Sequence, residues 1–114
     1  MSHREEQFIS FLEKETALFL DREAARPVGV FFSITKVVIN QSGERAEIYI
    51  SIFPDNQATA IFRELKQYEK ETRAHMAELL RRRKIPQLLF VRDTTQESSL
   101  RLEKLLDESS QKEK

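Results

Sequence analysis

The sequence contains no cysteine, and this absence excludes a disulfide framework, a thiolate zinc site and a cysteine nucleophile. Glycine is nearly absent too. Only Gly29 and Gly43 occur, so no glycine-rich phosphate-binding loop can follow Gly43. His3 and His75 are far apart in the chain, and neither has a second histidine at the spacing of a helical metal pair. No pattern indicates catalysis, and we expect no enzyme activity, no metal and no cofactor.

Long apolar runs are also missing. No run approaches the ~20 residues that are needed to span a bilayer, and the N-terminus lacks the charged-then-apolar layout of a signal peptide. The length of 114 residues fits one domain, and a hydrophobic content of 39% is sufficient for one core. We therefore expect one soluble, monomeric domain in the cytoplasm, without a membrane partner.

The formal net charge is zero, but the charges are unevenly distributed along the chain. Residues 63–92 contain 9 cations and 4 anions, whereas residues 1–25 contain 3 cations and 6 anions. The zero total excludes a uniformly basic protein. It does not exclude an anionic partner, because the basic charge is concentrated in one segment.

The N-terminal segment has the pattern of an amphipathic helix. The residues from Ser2 to Glu5 have the spacing of a capping box, and Pro27 with Gly29 ends the helix. Because the polar face is acidic, we expect a core helix that lies on a sheet, rather than a helix on a membrane surface. The apolar face consists of Phe8, Ile9, Leu12, Phe19 and Leu20, and is widened by Phe11 and Leu18.

Residues 30–40 and 44–53 predict a β-hairpin, because both are rich in β-branched and aromatic residues and the turn residues 41–43 separate them. In the second strand every other residue is apolar, which indicates one buried face. These apolar residues are Ala46, Ile48, Ile50 and Ile52. On the outer face, Tyr49 and Phe53 could form a stacking platform for bases, although exposed cross-strand packing is the commoner explanation.

The second half of the chain predicts helix, then strand, then helix. Asp55 is a candidate N-cap, and the apolar residues that follow keep helical spacing over roughly thirty residues, which favours a bend. We place that bend at Glu69–Thr72, where the apolar spacing is interrupted. Pro86 ends the helix near Lys84, and residues 87–92 form a short strand. We expect a C-terminal helix through residues 102–106, a single α+β domain over residues 1–108, and a disordered tail at residues 109–114.

Four consecutive cations, residues 81–84, crowd the predicted end of this helix. One helical turn needs only one or two cations to balance the helix dipole, so the excess suggests contact with an anionic partner. The alternative is a solvated helix end.

A set of residues in the same region keeps a fixed spacing. The set consists of Arg73, Leu80, Arg83, Ile85, Pro86, Leu88, Phe90 and Asp93. It resembles the pattern Arg, Leu, Arg-x-x-Pro-x-Leu-x-Phe-x-x-Asp of the ribosome-binding factor A family, with every spacing kept. Residues 33–37 and 46–51 are similar to the first two strands of that family. The resemblance runs from about Arg4 to Leu106.

This resemblance implies a type II KH-like domain, with the order helix-strand-strand-helix-helix-strand. It also implies a non-enzymatic protein that binds the small ribosomal subunit late in maturation, acts on the 5′ region of its rRNA and has no DNA partner. For Arg73 and Arg83 a structural role is the alternative, because the family pattern places them beside core positions. The candidate RNA-binding residues are Arg63, Lys66, Lys70 and Arg73 along the helices, and Arg81, Arg82, Arg83 and Lys84 at the helix end.

The chain departs from the family at one position. Family members usually break the long helix at an Ala-x-Gly kink, which replaces the nucleic-acid-clamping loop of ordinary KH domains, but the aligned residues here are Tyr68-Glu69-Lys70. The lysine removes the close backbone approach, and Glu69 and Glu71 place two anions where a phosphate would pass. Either the bend is made differently or RNA contact has shifted to the basic helix end. The alternative function is a KH-like protein-interaction module that docks through its acidic first helix.

Overall fold

The computed structural model describes residues 3–81 and 83–95, which form three helices and three strands. These elements confirm the predicted α+β class and the order of its first six elements. The predicted C-terminal helix and tail lie outside the described residues. None of the described helices is both long and apolar enough to cross a membrane. The elements are α1 (His3–Glu23), β1 (Phe31–Ile39), β2 (Arg45–Phe53), α2 (Asp55–Lys66), α3 (Glu69–Leu79) and β3 (Gln87–Arg92).

The sheet has the order β1-β2-β3, so that β2 is central. β1 pairs with β2 in an antiparallel hairpin, as predicted, whereas β3 pairs with β2 in parallel. A parallel pair needs a long crossover, and α2 with α3 provides it. The register of β1 shifts between Ile34 and Lys36, which makes Thr35 the extra residue of a β-bulge.

The core lies between the inner face of the sheet and the helices. Its central layer contains Ile48, Ile50, Leu88 and Phe90, all of them buried, which confirms the predicted alternation. The predicted helix face is wrong at Leu18, whose side chain is 52% exposed. At about 100° per residue, position 18 projects away from the stripe through Leu12 and Leu20, and a buried Thr16 completes that stripe.

The long second helix is broken, as predicted, but the break lies at Gln67 and Tyr68, just before the predicted position. The prediction treated the polar residue Thr72 as an interruption of the buried face. Thr72 is fully buried and belongs to that face. Its hydroxyl donates a hydrogen bond of 2.6 Å to the carbonyl of Tyr68, while the Tyr68 hydroxyl donates one of 3.2 Å to the carbonyl of Glu23 in α1. Side-chain hydrogen bonds of Tyr68 and Thr72 thus accompany the bend.

Two predicted helix ends are corrected. Asp55 is the first residue of α2 rather than its N-cap, and its carboxylate accepts a hydrogen bond of 2.9 Å from Arg92. α3 ends at Leu79, well before Lys84, because Leu80 has left helical geometry, with φ −120° and ψ 64°. The segment that follows turns inward to bury Ile85 and Pro86. The cations 81, 83 and 84 therefore lie in the loop after α3 and not in its last turn.

Candidate nucleic-acid interface

The predicted RNA-binding cations fall into two groups on the surface. In the first group, Arg63 and Lys66 lie in the last turn of α2, and Lys70 and Arg73 lie on α3. The second group, the α3–β3 loop cations, consists of Arg81, Arg83 and Lys84, all exposed. Arg82 lies outside the described residues.

Members of both groups line surface grooves. Lys70 and Arg73 line one groove with Gln87 at the start of β3, and the α3–β3 loop cations line another with the end of α3. Among the residues that the structure describes, Lys70, Arg81 and Lys84 have no ion-pair or hydrogen-bond partner. Their ammonium and guanidinium groups are therefore available to an anionic ligand.

Arg73 connects the two groups. Its Nε donates hydrogen bonds of 3.2 Å to the carbonyls of Ile85 and of Pro86, and its Nη2 donates one of 2.9 Å to Ile85. These carbonyls belong to the buried residues that lead into β3, so the guanidinium satisfies acceptors that burial would otherwise leave unpaired. Arg73 therefore has a structural role, which is the alternative that the sequence left open.

Arg83 also has a structural contact. The central carbon of its guanidinium lies 3.6 Å from the centroid of the Phe8 ring, in the geometry of a cation–π interaction. Phe8 belongs to the buried face of α1, so this contact fastens the α3–β3 loop to the first helix. Lys84 lies beside it, on the rim of a cavity that α1 and the β-hairpin also line.

Glu69 does not face outward, contrary to the prediction. Its Oε2 accepts a hydrogen bond of 2.6 Å from the backbone N–H of Phe90 and lies 3.3 Å from the Nζ of Lys66. Only Glu71, which is exposed, remains as an outward anion at the start of α3. The negative charge that the sequence placed in the path of a phosphate is therefore smaller than expected.

The outer face of the sheet carries an exposed aromatic pair, of which the sequence pattern indicated only Phe53. Phe31 and Phe53 are direct partners in the β1–β2 register and are 61% and 58% exposed. Tyr49 instead packs against its cross-strand partner Lys36, whose Nζ lies 4.4 Å from the ring centroid. The alternation of apolar residues could not reveal Phe31, because its partner depends on the register of the hairpin.

No described part of the chain brings together three side chains that could hold a metal ion. His75 is part of the packing between α1 and α3. Its ring packs against Phe19 at a centroid distance of 5.0 Å with the two ring planes tilted by 31°, and its Nε2 lies 3.6 Å from an oxygen of Glu15.

Comparison with known proteins agrees with the fold and with the sequence pattern. The family model of ribosome-binding factor A matches residues 4–106. Ribosome-binding factor A of Heliobacterium modesticaldum is 32% identical over 107 residues, which cover 93% of this chain and 88% of that relative. The corresponding protein of Cytophaga hutchinsonii is 33% identical over 95 residues, which cover 81% of this chain and 71% of that relative.

Solved structures show the same architecture. The crystal structure of ribosome-binding factor A from Thermus thermophilus superposes with a TM-score of 0.63 at 19% identity, covering 75% of this chain and 92% of that chain. A model of the Thermus thermophilus factor, fitted into a cryo-EM map of its complex with the 30S subunit, gives 0.59 at 22% identity, with coverage of 75% and 90%. The fold is therefore that of a KH-like α+β domain. The chain belongs to the ribosome-binding factor A family.

Proposed function

We propose that this protein is a non-enzymatic ribosome assembly factor that binds the small ribosomal subunit and the 5′ region of its rRNA during late maturation. It acts as a monomer in the cytoplasm, without DNA, a membrane or a cofactor. Family membership supports this proposal, as does the complex that the Thermus thermophilus factor forms with the 30S subunit.

One observation carries the RNA-binding part of the proposal. Lys70, Arg81 and Lys84 are exposed and unpaired within the described residues, although the chain as a whole has zero net charge and many anions that could pair with them. Local excess of positive charge on a neutral protein is typical of a surface that meets phosphates.

The eight predicted cations then divide by role. Arg73 and Arg83 hold the α3–β3 loop in place through the carbonyl and ring contacts described above. The other six are the proposed phosphate contacts, and the loop geometry that the two arginines maintain sets where Arg81 and Lys84 lie. The six phosphate contacts are Arg63, Lys66, Lys70, Arg81, Arg82 and Lys84.

The alternative is a protein-interaction module that docks through acidic residues of α1. Those anions are already partly engaged within the chain. Asp21 pairs with Arg26 at 3.2 Å, and Glu23 pairs with Arg22 at 2.9 Å. The described part of α1 therefore offers less free negative charge than its sequence suggests.

A triple substitution tests the proposal. Replacing Arg81, Arg82 and Lys84 together with Gln removes three of the four consecutive cations but spares Arg83. Surface charge changes usually alter stability by about 0.5 kcal/mol or less each, so the melting temperature should change little. Affinity for small-subunit rRNA fragments should fall at low salt, and the slope of log affinity against log salt should become shallower by about two to three units.

The matched control removes the same charge elsewhere. Arg4, Lys14 and Arg45 are exposed and have no ion pair with any described residue, so their replacement by Gln tests for a general charge effect. The control should keep the wild-type salt slope. If the loop variant is folded yet keeps wild-type affinity and slope, the interaction-module alternative becomes the better account.

A further inference from the structure

A single carboxylate oxygen of Glu69 has two partners in different elements. It accepts the Phe90 N–H of β3 at 2.6 Å and pairs with the Lys66 Nζ of α2 at 3.3 Å. The Glu69 side chain is 20% exposed and that of Lys66 is 48% exposed. The pair therefore spans the break between α2 and α3, at the edge of the surface that we propose for RNA.

The contact with Phe90 fixes the position of the carboxylate. Gln87 and Asp93 donate their N–H groups toward β2, to the carbonyls of Glu44 and Ile50, each at 2.8 Å. Backbone N–H groups alternate along a strand, so Phe90 donates away from β2, at the edge of the sheet. Phe90 is 2% exposed, and the charged oxygen of Glu69 satisfies an N–H that has little access to water.

A carboxylate held in this way is a fixed anion for Lys66. Lys66 is exposed at the end of α2, but its ammonium donates a hydrogen bond to the Glu69 carboxylate at the edge of the sheet. Lys70, one turn further along, has no such partner within the described residues. Two lysines on the same surface thus differ in how readily they can reach a phosphate.

We propose that Glu69 is a positioning residue that restrains Lys66, so that an RNA phosphate must displace the carboxylate before Lys66 can bind it. Lys70 then makes the ready contact and Lys66 the conditional one. This inference rests on the proposed RNA-binding function, and it adds that Lys70 binds a phosphate more readily than Lys66 does. Partly exposed ion pairs change affinities by about twofold to fivefold, which is the effect expected when the restraint is removed.

The test compares Glu69→Gln with Glu71→Gln. Both variants remove one negative charge from the start of α3, so a general change in electrostatic potential affects them equally. Glutamine at position 69 keeps an oxygen that can accept the Phe90 N–H but no longer attracts Lys66 as an anion. We expect Glu69→Gln to bind a fragment of the small-subunit rRNA about twofold to fivefold more tightly than Glu71→Gln, with a salt slope steeper by up to about one unit.

A double-mutant cycle assigns the gain to Lys66. Lys66→Gln should weaken binding less than Lys70→Gln does in the wild-type background, and should abolish the gain in the Glu69→Gln background. Lys70→Gln should weaken binding by the same factor in both backgrounds. A role of Glu69 in folding alone would alter the melting temperature but would not make the effect of Lys66→Gln depend on position 69.

Each outcome is decisive. Equal affinities and salt slopes for Glu69→Gln and Glu71→Gln overturn the inference while leaving RNA binding itself intact. Absence of rRNA binding by the wild-type protein instead overturns the proposed function. If Glu69→Gln does not fold, Lys66→Gln and Lys70→Gln are compared in the wild-type background. The restraint on Lys66 requires that Lys66→Gln lose clearly less affinity for the rRNA fragment than Lys70→Gln does. Equal losses would contradict it.

Discussion

The hydroxyl of Thr35 donates a hydrogen bond of 2.6 Å to the carboxylate of Asp93. Thr35 is the bulge residue of β1 and Asp93 directly follows β3, so the bond passes over the central strand on the outer face of the sheet. The backbone N–H of Thr95 donates to the same carboxylate at 2.9 Å. The bond from Thr35 and, after it, the bonds from Thr95 hold the pKa of Asp93 below its ordinary value.

This lowered pKa predicts a pH dependence of stability. A carboxylate with a lowered pKa in the folded state stabilises the fold above its unfolded pKa of about 3.9, and the contribution is lost as the pH falls through the folded value. Asp93→Asn should therefore be less stable than the wild type near neutral pH, and the difference should disappear in acid. Urea unfolding from about pH 7 to about pH 2.5 measures it.

Substitution of Thr35 separates the hydrogen bond from the charge. Thr35→Val removes the donor and should cost about 0.5 to 1 kcal/mol at neutral pH, whereas Thr35→Ser keeps the hydroxyl and should cost less. Thr35→Val should also raise the pKa of Asp93 toward its ordinary value. Identical pH profiles for the Val and Ser variants would show that the bond does not form in solution.

Phe90 should dominate the stability of the core. Its side chain is buried in the layer shared with Ile48 and Ile50, and truncation of a buried Phe to Ala typically costs about 3 to 5 kcal/mol. That is a large fraction of the stability of a small domain, so Phe90→Ala should leave little folded protein at physiological temperature. Thermal unfolding followed by circular dichroism measures the loss. Phe53→Ala is the control, because Phe53 is exposed; a similar small shift for both variants would contradict the assigned facing of β3.

Arg73 should affect stability more than RNA affinity. Arg73→Gln removes charge-assisted hydrogen bonds to the carbonyls of Ile85 and Pro86, and such bonds contribute about 1.5 to 3 kcal/mol. Arg73→Lys should recover only part of this, because an ammonium cannot reproduce the planar array of donors. Lys70→Gln, on the same groove, should leave the melting temperature unchanged. Equal stability of the two Gln variants would indicate that Arg73 is not required for the loop.

The contact between Arg83 and Phe8 can be measured by a double-mutant cycle. Cation–π pairs at exposed sites contribute about 0.5 to 1 kcal/mol, so Arg83→Gln and Phe8→Leu should be coupled by that amount in urea unfolding. Arg81→Gln paired with Phe8→Leu is the control and should show no coupling. Additive effects of the Arg83 and Phe8 substitutions would mean that the loop is not fastened to α1 in this way.

Local patterns in the sequence were sufficient for the elements and for most of the core. The alternation from Ala46 to Ile52 identified both the strand and its buried face, because side chains alternate between the two faces of any strand. Helical spacing identified α1 and the paired helices α2 and α3, and the spacing of residues 73–93 indicated the family. Each of these inferences needs only residues that are close together in the chain.

The sequence by itself thus determined the class, the order of elements, the family and the concentration of cations in residues 63–92. Only the tertiary structure decided where α3 ends, which way Glu69 points and which arginines are structural. The reason is physical: these features depend on partners that are distant in sequence, such as Phe8 for Arg83, Phe90 for Glu69 and Ile85 for Arg73. A side chain pairs with the groups that folding brings near it, and periodicity along the chain carries no information about that choice.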